Sequence, residues 1–206
     1  MNRKKLQGLY VITDDQLTPK QTIIDQVTQA IEAGASIVQL RNKSDDENFV
    51  ESLAVQLQKI CTHYGVLFVL NDKVEMAIKI KCDGLHIGKS DHHRFDQIRK
   101  EFGGIIGVSC YGDVGMAKEF ESKGADYVAF GSFFHSPTKP SSNIVNLKTL
   151  YEAKSQLKIP VCAIGGINTQ NLQEVLSYNP DIVSVISDIW NSQDIASKVN
   201  QYIQYM

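Results

Sequence analysis

The sequence repeats one pattern eight times: a short apolar run is followed by a longer segment with helical spacing of its apolar residues. The runs have the length of strands, and most of them are apolar at nearly every position. Strands of this kind are typical of a parallel sheet that is covered on both faces. The runs are LYVIT (9–13), SIVQLR (36–41), VLFVLN (66–71), GLHIG (84–88), IIGVSC (105–110), YVAFGSFF (127–134), VCAIGG (161–166) and IVSVIS (182–187).

The segments between the runs predict amphipathic helices. In QTIIDQVTQAIEAG, apolar residues from Ile23 to Ile31 fall on one helical face, and Gly34 follows as a helix stop. The other helices are expected over 47–64, 73–81, 92–102, 113–124, 146–157, 169–178 and 192–204. Eight strand–helix units predict a single-domain (β/α)8 TIM barrel over residues 1–206, with an open doubly wound sheet as the alternative.

The composition bounds the domain count and the class of partner. The 206 residues are 43% hydrophobic and 21% charged, which fits one large domain or, as the alternative, two small ones. A net charge of −2 does not indicate binding to nucleic acid or to an anionic membrane, because both attract proteins with an excess of positive charge. The expected partners are therefore small molecules, and assembly into a homo-oligomer is left open.

The cysteines and the apolar stretches predict a cytoplasmic protein. The four cysteines form no CxxC pair, so we expect reduced and buried thiols. No apolar stretch has the length of a membrane span, and the basic start is followed by too few apolar residues for a signal-peptide core.

Polar and charged residues collect at the ends of the predicted strands. In a closed βα barrel these ends meet on one face, where the active sites of such barrels lie. The residues concerned are Thr13, Asp14, Gln39, Arg41, Lys43, Asn71, Asp72, Asp91, Ser109, Ser136, Thr138, Lys139, Gly165, Gly166, Ser187 and Asp188. The starts of the strands carry no comparable set, so the sequence predicts a functional site on this rim.

The cations of the rim predict a phosphorylated ligand. Arg41, Lys43 and Lys139, with hydroxyl donors beside them, would favour an anion, and phosphate fits this donor set. The glycine pair 165–166 would let backbone N–H groups approach a second phosphate.

The carboxylates of the rim predict a metal ion. Asp72 and Asp91 would stand in a cationic pocket, and carboxylates beside phosphates are typical of a bridging Mg²⁺. The inferred ligands are a diphosphate with Mg²⁺ and a separate monophosphate.

Each of these residues also has a purely structural interpretation. Asp72 would serve equally as the N-cap of the following helix, and Lys43 as a solvated surface residue. The glycine pair 165–166 would serve as a tight turn. His86, within GLHIG, is expected to point into the barrel wall rather than toward a substrate.

Taken together, the motifs resemble the thiamine-phosphate synthase family. They are LYVITD, VQLRNK, LNDKVEMA, GLHIGKSD, GVS, ADYVAFGSFFHSPTKP, AIGGI and VSVIS, in this order from residue 9 to about residue 190. A single piece such as GGI also occurs in other phosphate-binding barrels, whereas the joint set is specific to this family.

The resemblance implies a transferase of thiamine biosynthesis. It would join 4-amino-2-methyl-5-hydroxymethylpyrimidine diphosphate to a thiazole monophosphate, with Mg²⁺ as cofactor, and release pyrophosphate. The implied mechanism is ionisation of the carbon–oxygen bond to the diphosphate, because the aminopyrimidine stabilises the resulting cation. No side-chain nucleophile is then needed, and the sequence shows no Ser-His-Asp or Cys-His arrangement.

The resemblance also implies a role for each rim residue. The implied roles are Gln39, Arg41, Lys43 and Asn71 for the pyrimidine diphosphate, Ser109 and Lys139 for further diphosphate contacts, Asp72 and Asp91 for Mg²⁺, and Ser136, Thr138, Gly166, Ile186 and Ser187 for the thiazole phosphate. Catalysis would come from Arg41, Lys43, Ser109 and Lys139, which stabilise charge on the leaving pyrophosphate.

The chain departs from the family pattern in the loop after the sixth run. The family commonly has proline where His135 stands and threonine where Ser136 stands, and the segment SSNIVNL replaces its usual continuation. Two alternatives remain: a thiazole tautomerase of the same superfamily, which typically carries a histidine where Ser132 stands, and a non-catalytic barrel that binds a phosphate ligand.

Overall fold

The computed structural model describes residues 6–44, 46–136 and 143–206, which fold into a closed barrel of parallel strands. The strands β1 to β8 are Gly8–Ile12, Ile37–Leu40, Leu67–Asn71, Gly84–Ile87, Ile105–Tyr111, Tyr127–Phe130, Val161–Ile164 and Ile182–Val185. Each strand pairs with its neighbours in chain order, and β1 pairs with β8 from Gly8↔Ile182 to Val11↔Val185. This closure confirms the predicted (β/α)8 barrel and rules out the open sheet.

Helices surround the barrel. In the described part of the chain, α1 to α9 are Ile23–Glu32, Glu47–Tyr64, Val74–Lys79, Phe95–Glu101, Val114–Lys123, Lys148–Gln156, Leu172–Leu176, Ser187–Trp190 and Ile195–Ile203. The sequence pattern predicts all of them except α8, which is one turn long and therefore shows no apolar periodicity.

Helix α1 shows how the local sequence sets an element and its end. Ile23, Val27, Ala30 and Ile31 are buried on one face, as the spacing predicts. The chain then reverses at Gly34, whose φ of +116° is readily adopted by glycine. The Ala35 N–H donates to the Ala30 carbonyl at 2.9 Å, which satisfies one of the last carbonyls of the helix.

The strands are apolar throughout because the barrel has two apolar layers. On β3, Leu67 and Val69 face the barrel interior, whereas Phe68 and Leu70 pack against the surrounding helices. Successive strand residues point to opposite faces, so both sets are buried. Phe68 and Val69 are each 0% exposed.

Carboxylates tie neighbouring strands together at the end of the barrel where the strands begin. Asp126, just before β6, accepts from the Ile106 N–H at 2.9 Å and pairs with Arg99 at 3.0 Å. Asp181, just before β8, accepts from the Val161 N–H at 2.8 Å and pairs with Lys154 at 2.7 Å. These residues therefore stabilise the barrel at the end remote from the predicted site.

The sixth strand is shorter than the sequence pattern predicts. The apolar run extends to Phe134, but β6 ends at Phe130, so this part of the prediction is wrong. At Gly131 the backbone lies so close to the Ile164 carbonyl that any Cβ would overlap that oxygen. The next residue, Ser132, accepts at its carbonyl from the Val145 N–H at 2.8 Å instead of continuing the sheet.

The four cysteines are free and buried, as predicted. Burial raises the pKa of the Cys61, Cys82 and Cys110 thiols to about 12, so they remain protonated near neutral pH. Within the described ranges, no helix combines the length and the apolar character that a membrane span requires.

Gly107→Ala should destabilise the barrel, because a Cβ at Gly107 would overlap the Tyr127 ring in the barrel interior. We expect the free energy of unfolding to fall by about 1–3 kcal/mol, the usual cost of overpacking. Urea unfolding followed by circular dichroism measures it.

Gly103→Ala is the matched control, since no described heavy atom lies within 4 Å of its added Cβ. This variant should stay within about 0.5 kcal/mol of the unsubstituted chain. Equal stability of the two variants would contradict the close packing of Gly107 against Tyr127.

Candidate active site

A cavity of about 540 Å³ opens where the strands end. Every strand, or the residue directly after it, contributes a lining side chain. In strand order these are Ile12, Gln39, Asn71, His86, Ser109, Ala129, Ile164 and Ile186. The cavity is thus the mouth of the barrel, on the face that the sequence predicts.

Many of the predicted site residues meet at this cavity. Those that line it are Gln39, Arg41, Asn71, Ser109, Ser136 and Ile186. Gly166 directly follows Gly165, and Ser187 directly follows Ile186; Gly165 and Ile186 both line the cavity. Thr138 and Lys139 lie outside the described residues.

Lys43 lies beside the cavity rather than in its lining. It borders a neighbouring depression together with Asp15 and Lys20. Its backbone N–H donates to the Asp15 carboxylate at 3.3 Å. A contact between the Lys43 side chain and a ligand of the main cavity therefore stays a prediction.

Among the described residues, two cations line the cavity and have no carboxylate partner there. The Arg41 backbone is fixed because its N–H donates to the buried Thr13 hydroxyl at 3.0 Å. Neither Arg41 nor Lys89 forms an ion pair with any described carboxylate, whereas cations such as Arg94 and Lys154 do so elsewhere. An unneutralised pair of cations at the mouth attracts an anionic ligand.

Lys89 is a site residue that the sequence reasoning missed. It stands in the motif GLHIGKSD, two residues after β4 ends, and it lines the cavity. Its position beyond a strand end is the signal that would have found it. Tyr111, Ser132 and Asn143 also line the cavity and were missed. Tyr111 is the last residue of β5, one position beyond the predicted run, and Ser132 and Asn143 lie in irregular chain after β6.

Asp72 and Asp91 converge on one turn, at Gly88. An Asp72 carboxylate oxygen accepts from the Gly88 N–H at 3.1 Å, and the Gly88 carbonyl accepts from the Asp91 N–H at 3.1 Å. Neither carboxylate accepts a capping hydrogen bond from the helical turn that follows it. The structure therefore does not support the interpretation of Asp72 as a helix cap.

The donor set at this turn fits Mg²⁺. The second Asp72 oxygen accepts from the Asn71 amide at 2.7 Å. One Asp91 oxygen accepts from the Ser90 hydroxyl at 2.8 Å, and the other lies 3.6 Å from the Arg94 guanidinium. In the described ranges, no group of three or more His, Cys, Asp or Glu side chains is arranged to hold a metal. Two carboxylates suffice for Mg²⁺, because this ion is often held by one or two carboxylates, water and the phosphates of a substrate.

The glycine pair 165–166 lies under the loop that follows β6. A Cβ on Gly165 would overlap the backbone and side chain of Ser132, and a Cβ on Gly166 would overlap the His135 carbonyl. Both glycines have positive φ, +103° and +65°. To the described part of the chain, their N–H groups donate no backbone hydrogen bond.

A chain of hydrogen bonds crosses the barrel at the bottom of the cavity. Its successive contacts are Gln39 Nε2 to Tyr10 Oη at 2.6 Å, Tyr10 Oη to Tyr127 Oη at 3.0 Å, Tyr127 Oη to His86 Nδ1 at 2.9 Å, and His86 Nε2 to Ser109 Oγ at 2.9 Å. The prediction that His86 points into the barrel wall is wrong, because its ring lies inside the barrel and lines the cavity. The structure also creates a Ser–His contact that the sequence does not reveal.

The fold and the rim define the class of protein: a βα barrel whose mouth is built for an anionic small molecule. The sequence profile of the thiamine monophosphate synthase family matches residues 9–189. The chain belongs to this family.

Named relatives agree over nearly the whole chain. Thiamine-phosphate synthase of Wolinella succinogenes is 41% identical over 93% of this chain and 89% of its own length. Thiamine-phosphate synthase of Thermoplasma acidophilum is 39% identical over 93% of this chain and 88% of its own length.

Solved structures show the same architecture. Thiamine phosphate pyrophosphorylase from Pyrococcus furiosus superposes with a TM-score of 0.88 at 33% identity, over 98% of this chain and 96% of that one. A 3-hexulose-6-phosphate synthase reaches a TM-score of 0.74 at 16% identity, over 97% and 99% of the two chains, and shares the fold alone.

Arg41→Gln and Lys89→Gln should each weaken the binding of inorganic pyrophosphate, because each removes from the cavity a cation that no described carboxylate neutralises. We expect about a tenfold rise in Kd for each variant, the effect of losing one charge-assisted contact. Isothermal titration calorimetry at low ionic strength measures it.

Lys100→Gln is the control, since Lys100 is an exposed cation on helix α4 and does not line the cavity. Its Kd should match that of the unsubstituted chain. If Lys89→Gln also matches, Lys89 does not contribute to the anion site.

Proposed function

We propose that this chain is a thiamine-phosphate synthase, which condenses 4-amino-2-methyl-5-hydroxymethylpyrimidine diphosphate with thiazole monophosphate to give thiamine phosphate and pyrophosphate. The observation that carries the proposal is the cavity itself. It places two cations without a described carboxylate partner on one side, and glycine N–H groups that donate to no described acceptor on the other. Relatives named thiamine-phosphate synthase, similar over 93% of the chain, support the same reaction.

The two sides of the cavity divide the two substrates. Arg41, Asn71 and Lys89 come from β2, β3 and β4, on the side where Asp72 and Asp91 stand, so we assign the diphosphate there. Ser136 and the glycine pair 165–166 follow β6 and β7, and Ile186 follows β8. We assign the thiazole phosphate to this second side, where N–H and hydroxyl donors suit a phosphate.

The reaction breaks one bond and forms one. The bond between the pyrimidine methylene carbon and the diphosphate oxygen breaks, and its electron pair leaves with pyrophosphate. The lone pair of the thiazole nitrogen then forms the new carbon–nitrogen bond. The barrel contributes by holding the two substrates at one mouth, so that the nitrogen faces the carbon as the diphosphate departs.

The charged side chains act on the leaving group. Negative charge grows on the departing pyrophosphate, and Arg41 and Lys89 stabilise it because no described carboxylate neutralises them beforehand. Lys43 and Lys139 remain proposed contributors to the same charge. No covalent intermediate on the protein is required.

We also propose Mg²⁺ as the cofactor, held by Asp72 and Asp91. Asp72 contacts Gly88 through its carboxylate and Asp91 through its N–H, and neither carboxylate caps the helical segment that follows it, which supports this role. When bound, the ion would neutralise diphosphate charge. Asn71 would position one of the ligands, because its amide donates to the Asp72 carboxylate at 2.7 Å.

We propose a cytoplasmic location. Its support is the state of the cysteines, all four of which are free thiols buried in the barrel. A reducing compartment keeps such thiols in this form.

Purified protein incubated with both substrates and Mg²⁺ should produce thiamine phosphate and one equivalent of pyrophosphate. Liquid chromatography of the products together with a coupled pyrophosphate assay measures both. Omission of either substrate is the control and should abolish both products. Absence of thiamine phosphate from substrates that a known synthase consumes would overturn the proposal, and isomerisation of a thiazole precursor instead would favour the tautomerase.

Asp91→Asn should raise the Mg²⁺ concentration needed for half-maximal activity by at least about tenfold, because the variant lacks one anionic oxygen ligand. Steady-state rates over a Mg²⁺ titration measure the shift.

Asp96→Asn, five residues further on at an exposed position of helix α4, removes the same charge away from the turn and should leave the titration unchanged. Identical Mg²⁺ curves for the two variants would remove Asp91 from the metal site.

A further inference from the structure

We propose that Tyr10 and Tyr127 are positioning residues that fix the tautomer of His86, and that His86 thereby turns the Ser109 hydroxyl proton toward the cavity. The ligand that would receive this proton rests on the proposed function. The direction of donation within the network is argued from its hydrogen bonds alone, which link Gln39 to Ser109 across the barrel.

The direction of donation along the chain is set at its first member. Gln39 contacts Tyr10 through its amide nitrogen, at 2.6 Å, and an amide nitrogen only donates. Tyr10 therefore accepts from Gln39, and its own proton is available to Tyr127 at 3.0 Å. Tyr127 in turn donates to His86 Nδ1 at 2.9 Å.

The tautomer of His86 follows from that direction. When Nδ1 accepts from Tyr127, the single proton of the neutral imidazole is on Nε2. Nε2 lies 2.9 Å from the Ser109 oxygen and so donates to it. The Ser109 proton is then left for another acceptor, and Ser109 lines the cavity.

The opposite direction of donation would leave one hydroxyl proton without an acceptor. If Ser109 donated to His86 and His86 to Tyr127, Tyr127 would donate to Tyr10, and the Tyr10 proton would face the Gln39 amide nitrogen, itself a donor. Tyr10 is 1% exposed and Tyr127 is 0% exposed, so water does not readily reach either hydroxyl. An unsatisfied buried donor disfavours this arrangement by about tenfold or more.

Both tyrosines keep their hydroxyl protons, as this series of hydrogen bonds requires. Burial is the main cause that raises the pKa of Tyr10 and of Tyr127 well above the ordinary value. Each ring is held in place by packing, with the two ring centroids 6.2 Å apart in an edge-to-face arrangement.

The consequence is a specific role for Ser109. A serine activated as a nucleophile needs a histidine nitrogen that accepts its proton. Here His86 Nε2 carries a proton, so Ser109 is a hydrogen-bond donor to an acceptor atom of the ligand. The Ser–His contact in this barrel is therefore not a nucleophilic pair.

The tautomer is measured directly, without substrate, on protein labelled with ¹⁵N-histidine. Long-range ¹H–¹⁵N spectra distinguish the two neutral tautomers, and the His86→Gln variant identifies the His86 signals among the five histidines. We expect the Nε2-protonated form to exceed the other by about tenfold or more. A His86 that is mainly protonated on Nδ1 would overturn the proposal.

Tyrosine variants test which groups set the tautomer. Tyr127→Phe should lower the ratio of the two tautomers by about tenfold, because it removes the hydroxyl that donates to His86 Nδ1. Tyr202→Phe is the control: it also removes a buried hydroxyl, one that donates to Asp188 outside the barrel, and should leave the ratio unchanged. An unchanged ratio in Tyr127→Phe, shown to be folded by its thermal unfolding, would also overturn the proposal.

A double-mutant cycle tests the route to activity. Tyr127→Phe should lower kcat by about tenfold in the unsubstituted chain but by less than about twofold in a Ser109→Ala background, because Tyr127 acts through Ser109. Equal losses in both backgrounds would show that Tyr127 acts by another route. Failure of the proposed function is recognised separately, as absence of turnover in the unsubstituted chain, and leaves the tautomer measurement intact.

Discussion

Pairing of β1 with β8 is the interaction on which the rest of the structure depends. It runs from Gly8↔Ile182 to Val11↔Val185 and converts eight consecutive strand–helix units into a closed ring. Closure removes both sheet edges and brings the ends of all the strands to one mouth. Residues as distant in sequence as Ile12 and Ile186 become neighbours in one cavity only because of it.

Closure also creates an interior with two different chemistries. Side chains such as Ile37, Leu67 and Ile105 fill the lower part with apolar groups. Higher on β2 and β5, two residues after Ile37 and four residues after Ile105, Gln39 and Ser109 are polar and face the cavity. Buried polar groups are costly unless they are hydrogen-bonded, and the chain from Gln39 to Ser109 satisfies them in the transition between the two parts.

The rim separates structural charges from charges that are available to a ligand. At the far end of the barrel, Asp126 and Asp181 accept hydrogen bonds from backbone N–H groups and form ion pairs with neighbouring cations. At the mouth, Arg41 and Lys89 face no described carboxylate. This asymmetry gives the barrel a stabilised end and a binding end.

The sequence alone determined the class of fold and most of the rim. Its eight apolar runs predict the strands because both faces of a closed barrel are buried, and residues such as Gln39, Arg41 and Ser109 are found from their place at strand ends. The end of β6 could not be predicted, because the sequence of the run continues as apolar residues after Gly131. At Gly131 the Ile164 carbonyl, from another strand, lies so close that no Cβ would fit, and a single strand's sequence does not reveal such a contact.

Only the tertiary structure decided what His86, Tyr10 and Tyr127 do. Each is an ordinary residue of a strand in the sequence, and their partners lie up to 117 positions away in the chain. The inward direction of each side chain and the distances between strands place the four contacts in series. A sequence pattern carries the periodicity of one strand, but a hydrogen bond between two strands depends on register and closure, which are properties of the whole barrel.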